Sequence, residues 1–158
     1  MIQTLPRLTA NKLEIDTAPD TFGFLESSAH LSQNAAALNE RMATEGYVYL
    51  PGLLNRAEVL AARRVAAERL AERNLLDVRH DVMDCIAREG ANTSFMAELA
   101  QGNAPLMNVL YAGPMMQLFE TLIGGPALHY DYTWFRAVAP GRGTEPHMDI
   151  VYMGRGTK

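Results

Sequence analysis

Two triplets in the chain place an imidazole two residues before a carboxylate: His129-x-Asp131 and His147-x-Asp149. On an extended strand, residues i and i+2 point to the same face, with their Cα atoms roughly 6.5 to 7 Å apart. Both side chains of such a triplet can therefore converge on one metal ion. An imidazole and a carboxylate, joined by a second imidazole from elsewhere, form the facial triad that binds Fe(II) and leaves coordination positions open for a co-substrate and O2.

The residues around the two triplets differ. His147 and Asp149 follow a Gly-rich turn and begin a segment that continues with apolar side chains on the same face. That pattern predicts a polar pair at the mouth of an apolar pocket, which is typical of a binding site. His129 and Asp131 lie inside a long aromatic segment, where surface or hydrogen-bonded polar residues are the simpler interpretation. We therefore take His147 and Asp149 as the candidate metal ligands and assign no catalytic residue.

Three segments are expected to form β-strands. Ala127 to Ala139 is rich in aromatic and β-branched residues between two prolines and predicts one long strand. His147 to Met153 predicts a second strand after the Gly-rich turn, and Tyr47 to Leu50 predicts a short third one. Residues 126–158 are therefore expected to begin a sheet.

Helical patterns dominate the chain before residue 126. The clearest are Asn34 to Thr44, followed by Gly46 as the expected C-cap, and Ala57 to Arg73. The second of these begins with Asn55 three residues before Glu58, a pattern similar to a capping box.

Weaker helical patterns fill the remaining part of this region. Leu106 to Leu122 predicts two short helices with a break at Gly113-Pro114, and their Met-rich spacing predicts core filling. Phe95 to Gly102 predicts a short helix, and so does Val82 to Arg88. Residues 1 to about 30 are mixed and turn-rich and predict an irregular arm.

Composition excludes several classes of protein. Apolar residues make up 48% of the chain and the formal charge is only -4, which excludes an intrinsically disordered chain. The acidic balance also argues against a general nucleic-acid binder, because neutralising phosphates needs clustered Lys and Arg. No apolar run is long enough to cross a membrane, and the first residues lack the pattern of a secretory signal. The single Cys85 suits a reducing cytosol, so we expect a cytoplasmic protein.

Two runs of the sequence resemble the phytanoyl-CoA dioxygenase family, a branch of the Fe(II)/2-oxoglutarate oxygenases. The run YLPGLLNRAEV, from Tyr49 to Val59, is similar to the N-terminal element of that family. The run RAVAPGRGTEPHMDIVYMGRG, from Arg136 to Gly156, is similar to its strand-turn-strand with the proximal iron ligands. The resemblance implies an α+β fold in one domain, residues 1–158. Its residues 1–125 would be mainly helical, and residues 126–158 would form the first strands of a double-stranded β-helix, a cupin-like jelly roll.

The resemblance also implies an activity and its cofactors. His147 and Asp149 would bind Fe(II), and 2-oxoglutarate and O2 would be consumed while a small organic substrate is hydroxylated. Arg136, on the strand before the ligands, would approach the anionic co-substrate. The alternative for Arg136 is a salt bridge with a structural carboxylate.

The family's third iron ligand is a histidine far downstream, and an arginine beyond it binds the distal carboxylate of 2-oxoglutarate. Because the chain ends at Lys158, nine residues after Asp149, we expect an N-terminal fragment that lacks both and is inactive alone. Two other classes stay open: a non-enzymatic helical module whose strands pair with a partner, and a metal-free cupin-like binding protein. The substrate and the oligomeric state are not predicted.

Overall fold

The computed structural model describes residues 7–10, 13–93, 95–130, 132–140 and 147–149. The chain divides into two compact units, of which residues 25–139 form the larger and residues 1–24 with 140–158 the smaller. In the smaller unit, strands β1 (Thr9–Ala10) and β2 (Leu13–Glu14) form a short antiparallel pair. An ion pair between Arg7 and Glu14, with 2.9 Å between nitrogen and oxygen, lies beside it.

The described residues of the larger unit form four α-helices: α1 (Ala35–Glu45), α2 (Arg56–Glu72), α3 (Ala104–Tyr111) and α4 (Gly113–Ile123). A single 3-10 turn precedes α1 at Ala29–Leu31, and two more lie between α2 and α3, at Val82–Asp84 and Ala97–Leu99. The predicted helices around residues 34–44 and 57–73 are confirmed. The predicted pair of short helices with a break before Pro114 is confirmed as well.

Helix ends follow the capping chemistry that the sequence predicts. The Asn55 side-chain oxygen accepts hydrogen bonds from the backbone N–H groups of Ala57 and Glu58, at 2.9 and 3.3 Å. Gly46 ends α1 at a φ of 75°, a left-handed conformation that glycine adopts without steric cost. The sequence predicts the start of α2 and the end of α1 correctly, because a helix cap depends only on residues within one turn.

The core of the larger unit is centred on α2. Its buried face consists of alanines, Ala62, Ala66 and Ala67, and α3 packs more extensively against α2 than against any other described element. Small side chains let the two backbones approach closely. The other buried apolar residues of the described chain are Leu76, Leu99, Ala100 and Leu38 of α1, and α1 contacts α4 rather than α2.

A buried amide joins α2 to α3. Asn103 is fully buried, and its side-chain oxygen caps α3 by accepting the Leu106 N–H at 3.1 Å. Its side-chain nitrogen donates to the Ala62 carbonyl of α2 at 3.2 Å. One side chain therefore starts α3 and fixes the distance of α3 from α2.

Arginines of α2 hold the loops around this core. Arg69 Nη1 donates to the carbonyls of Leu99 and Gln101, at 2.8 and 2.6 Å. Arg63 donates to the Met83 carbonyl at 2.6 Å. These bonds satisfy loop carbonyls that have no regular secondary structure to pair with.

The predicted helix from Val82 to Arg88 is wrong. The structure has one 3-10 turn, Val82–Asp84, which ends at Cys85 with a φ of 52°. The second half of the segment pairs with the chain after α2 instead of continuing the turn. The Asp77 N–H donates to the Ile86 carbonyl at 2.8 Å, and the Arg88 N–H donates to the Leu75 carbonyl at 2.9 Å, on either side of the antiparallel bridge between Leu76 and Ala87.

The predicted helix from Phe95 to Gly102 shrinks to one turn for a related reason. The structure has a 3-10 turn at Ala97–Leu99 only. The start of the segment is extended and pairs with residues 135–136: Phe95 bridges Arg136, and the Met96 N–H donates to the Phe135 carbonyl at 3.0 Å.

The long strand predicted from Ala127 to Ala139 is not formed in the described residues. Residues 127–130 and 132–140 contain one isolated antiparallel bridge, between Arg136 and Phe95. Exposure nevertheless alternates strictly from residue 132 to residue 140, as along an extended chain with two faces. A strand needs a neighbouring strand over several residues, and here Phe95 offers a bridge at one position.

Two other predicted strands have a similar outcome. Tyr47 to Leu50 provides a single parallel bridge, between Tyr49 and Ser27. Residues 147–149 are not in a strand, and the remainder of the predicted strand to Met153 lies outside the described residues. The described chain is thus mainly helical with short β pairings, which fits the α+β class in this coarse form. In the ranges that the structure covers, no helix has the length and apolar character needed to cross a membrane.

We expect Asn103→Ala to lower the free energy of unfolding by about 2 to 3 kcal/mol, because it removes a helix cap and a buried inter-helix hydrogen bond together. Asn34→Ala is the matched control, since Asn34 is an exposed cap whose oxygen accepts only from Ala37. Its loss is expected to cost about 1 kcal/mol. Urea unfolding followed by circular dichroism measures both, and equal losses would contradict the structural role of Asn103.

Arg79 and Asp77 supply a pH-dependent contact in the loop after α2. Arg79 donates to both carboxylate oxygens of Asp77, at 2.9 Å from Nε and 2.5 Å from Nη2. These hydrogen bonds hold the pKa of Asp77 well below its usual range. The carboxylate therefore stabilises the fold above about pH 4, and that contribution is lost as pH falls through the lowered pKa.

We expect Arg79→Gln to return the pKa of Asp77 toward its ordinary value, with a small effect on stability because the arginine is exposed. Titration of the Asp77 carboxyl carbon by NMR measures the pKa. Arg64→Gln, which removes an exposed pairing with Glu68 on α2, is the control and leaves Asp77 unchanged. An unaltered titration of Asp77 in Arg79→Gln would contradict this cause.

Candidate functional site

The side chains of His147 and Asp149 converge. His147 Nε2 lies 3.3 Å from Asp149 Oδ1. The two side chains are 42% and 77% exposed, so ions and small molecules in solvent can reach both. The sequence predicted convergence on a strand, whereas the structure achieves it on a turn.

The separation of the two donor atoms suits a shared metal ion. Two donors at about 2.1 Å from a divalent ion lie about 3.0 Å apart at a right angle and about 3.4 Å apart at a tetrahedral angle. The observed 3.3 Å lies between these values. A charge-assisted hydrogen bond between the same atoms would be shorter, at about 2.7 to 2.9 Å. The distance therefore fits two adjacent ligands of one metal ion, and it also fits an ordinary exposed ion pair, such as that of Arg41 with Glu26 at the same 3.3 Å.

The third ligand is not found in the described residues. Across the ranges described, no three His, Cys, Asp or Glu side chains lie close enough together to bind one ion. His30 and His80 are described, and neither joins such a group. The pair thus provides two of the three donors that a facial triad requires.

Arg136, the candidate contact for the co-substrate, lies in the larger unit. Its guanidinium carbon is 5.5 Å from the centre of the Trp134 ring, a cation–π contact. Trp134 in turn meets Phe95 edge-on, with 5.5 Å between ring centres. Trp134 and Tyr132 lie on the same exposed face as Arg136, at 54% and 56% exposure, so neither is a core residue.

The second triplet has a local structural explanation. His129 stacks on Tyr111, with ring centres 4.0 Å apart and 25° between planes. Its Nδ1 lies 3.0 Å from the Tyr130 carbonyl oxygen. Asp131 lies outside the described residues. The stacking and the local hydrogen bond support the simpler interpretation of His129.

Sequence reasoning missed a cleft of about 460 Å³ in the larger unit, which we name the Tyr111 cleft. Its lining includes Ala97, Ala100, Gly102, Met107, Tyr111 and Thr133. The Met-rich helices were predicted to fill a core, yet neither α3 nor α4 has a buried residue. The available signal was the spacing of Met107 and Tyr111, four residues apart on one helix face.

Comparison with known proteins gives no match: no family model, curated protein or solved structure is significantly similar to this chain. The resemblance to the phytanoyl-CoA dioxygenase family thus stays a prediction from the two quoted runs of sequence.

Proposed function

We propose that this chain carries the proximal part of the Fe(II) site of a 2-oxoglutarate-dependent dioxygenase that hydroxylates a small organic molecule. The observation that carries the proposal is the 3.3 Å separation of His147 Nε2 and Asp149 Oδ1. It is supported by the resemblance of the run from Arg136 to Gly156 to the ligand-bearing segment of such enzymes. Imidazole and carboxylate are also the donor types expected for non-haem iron.

His147 would bind the metal through a neutral imidazole nitrogen, and Asp149 through an ionised carboxylate oxygen. The carboxylate reduces the positive charge of the ion, and the imidazole adds a neutral donor beside it. When bound, Fe(II) with 2-oxoglutarate supplies the chemistry that uses O2 to oxidise a C–H bond while 2-oxoglutarate becomes succinate and CO2. The exposure of both side chains leaves access for the co-substrate from solvent.

A jelly roll is the fold that belongs to this proposal. The alternating exposure of residues 132–140 supports it, because an extended chain with two distinct faces is ready to pair as a strand. The assignment of Arg136 to the co-substrate carboxylate rests on the resemblance alone and stays a prediction.

We expect the chain to bind Fe(II), or Co(II) as an air-stable substitute, and His147→Ala and Asp149→Ala each to weaken binding about 100-fold. Loss of a ligand should cost at least as much as loss of an outer partner, about 10- to 100-fold. Anaerobic equilibrium dialysis measures the affinity. His129→Ala is the matched control, because it removes the histidine of the second triplet, and it should bind like the unaltered chain.

Equal affinities for the unaltered chain and His147→Ala would refute the metal site. They would also favour the metal-free binding protein or the helical module. Circular dichroism of each variant confirms that the fold is kept, as expected for substitutions of exposed side chains.

The identity of the co-substrate is tested separately with labelled 2-oxoglutarate. We expect the chain to retain it in dialysis only when Co(II) is present, because the 2-oxo acid group binds a metal through two oxygens. Succinate is the matched control, since it lacks the 2-oxo group and should not be retained. Retention of both acids without metal would indicate a simple anion site and contradict the oxygenase proposal.

A further inference from the structure

The Tyr111 cleft has the size and the mixed lining of a small-molecule site. Its volume of about 460 Å³ lies within the range of about 300 to 1,000 Å³ that such sites occupy. Ala97, Ala100 and Met107 provide an apolar surface, and the flat ring of Tyr111 forms part of the wall. Tyr111 and Met107 are half-buried and so are held in place while still open to the cleft.

Two hydroxyl groups provide a polar anchor in this wall. Tyr111 Oη and Thr133 Oγ1 are 2.8 Å apart and hydrogen-bonded. Thr133 Oγ1 also donates toward the sulfur of Met107 at 3.8 Å, and a thioether is a weak acceptor. A ligand oxygen that replaces this sulfur as the acceptor would therefore strengthen the hydrogen bonding of the hydroxyl pair.

The cleft favours a neutral ligand. Among the described residues that line it, no side chain carries a formal charge. Arg69 lies beside the cleft, with Nη2 3.9 Å from the place that a Cβ on Gly102 would take, but it is not a lining residue and its Nη1 already donates to the carbonyls of Leu99 and Gln101. A carboxylate that entered the cleft would lose hydration without meeting a cation in the lining, and this loss is costly.

We propose that the Tyr111 cleft binds a neutral organic molecule with an apolar body and one hydroxyl or carbonyl group, which the Tyr111–Thr133 hydroxyl pair anchors. The site lies wholly within the larger unit. The inference goes beyond the proposed oxygenase function and needs neither the metal nor His147 and Asp149.

Three naphthalene derivatives of similar size test the chemistry: 2-naphthylmethanol, 2-methylnaphthalene and 2-naphthoate. Binding is measured on the full chain by titration of backbone amide shifts in NMR, with the expected changes at Tyr111 and Thr133. We expect 2-naphthylmethanol to bind about fivefold more tightly than 2-methylnaphthalene, the factor that one net hydrogen bond contributes. We expect 2-naphthoate to bind at least about tenfold more weakly than the alcohol, because its charge is not compensated.

Substitutions then locate the site. Thr133→Val should reduce the affinity for 2-naphthylmethanol to that for 2-methylnaphthalene and leave the hydrocarbon unaffected. Thr121→Val is the matched control, because Thr121 bonds to Gln117 of its own helix and does not line the cleft. Ala97→Phe should weaken both neutral probes by filling the cleft, and amide spectra show whether each variant keeps its fold.

Several results would overturn the proposal. These are shifts spread over surfaces outside the cleft, binding of 2-naphthoate as tight as that of the alcohol, and equal effects of Thr133→Val and Thr121→Val. Absence of any shift with all three probes would overturn it too. None of these outcomes bears on metal binding by His147 and Asp149, so the two proposals fail separately.

Discussion

The buried amide of Asn103 is the interaction on which the larger unit depends. Of the residues that the structure describes, only Asn103 and Ser28 are buried and polar. A buried amide is costly unless its donors and acceptor are bonded, and Asn103 meets this need by contacting both α2 and the first turn of α3. The position of α3 is therefore fixed by hydrogen-bond geometry, whereas the alanine face of α2 fixes only how closely α3 can approach.

The Tyr111 cleft follows from that constraint. Gly102 immediately precedes Asn103, and Met107 and Tyr111 lie on the helix that Asn103 starts. Arg69 fixes the opposite side, because it binds the carbonyls of the segment that leads into α3. The walls of the cleft are thus held by bonded polar groups, so the cleft does not need a large apolar core to stay open.

The sequence predicted best what depends on neighbours along the chain. The caps at Asn55 and Gly46 involve residues within one turn, and both lie where their residue types place them. The convergence of His147 and Asp149 is equally local, because only Met148 lies between them in the chain. A third metal ligand would come from a distant part of the chain, and residue spacing gives no information about its position.

Predictions that depended on distant pairing or on competition for donors failed. Aromatic and β-branched residues from Ala127 to Ala139 describe a segment able to form a strand, but a strand also requires a partner edge. Phe95 supplies only one bridging position. Helical propensity in residues 82–88 was likewise outweighed by backbone pairing of residues 86–88 with residues 75–77. Trp134 and Tyr132 are exposed because, within the described chain, the extended segment lacks a covering layer on their side. Side chains of an extended segment are buried only where another layer covers that face.

Polar groups in this protein divide into those that hold the fold and those that do not. Asn103 and Arg69 bond to backbone groups of neighbouring segments, and their removal would leave those groups without partners. His147 and Asp149 are exposed and bonded to one another at a long distance, and an exposed pair of this kind contributes little to stability. The same distinction makes the pair open to substitution without loss of the fold, so a change in metal affinity can be attributed to the ligands themselves.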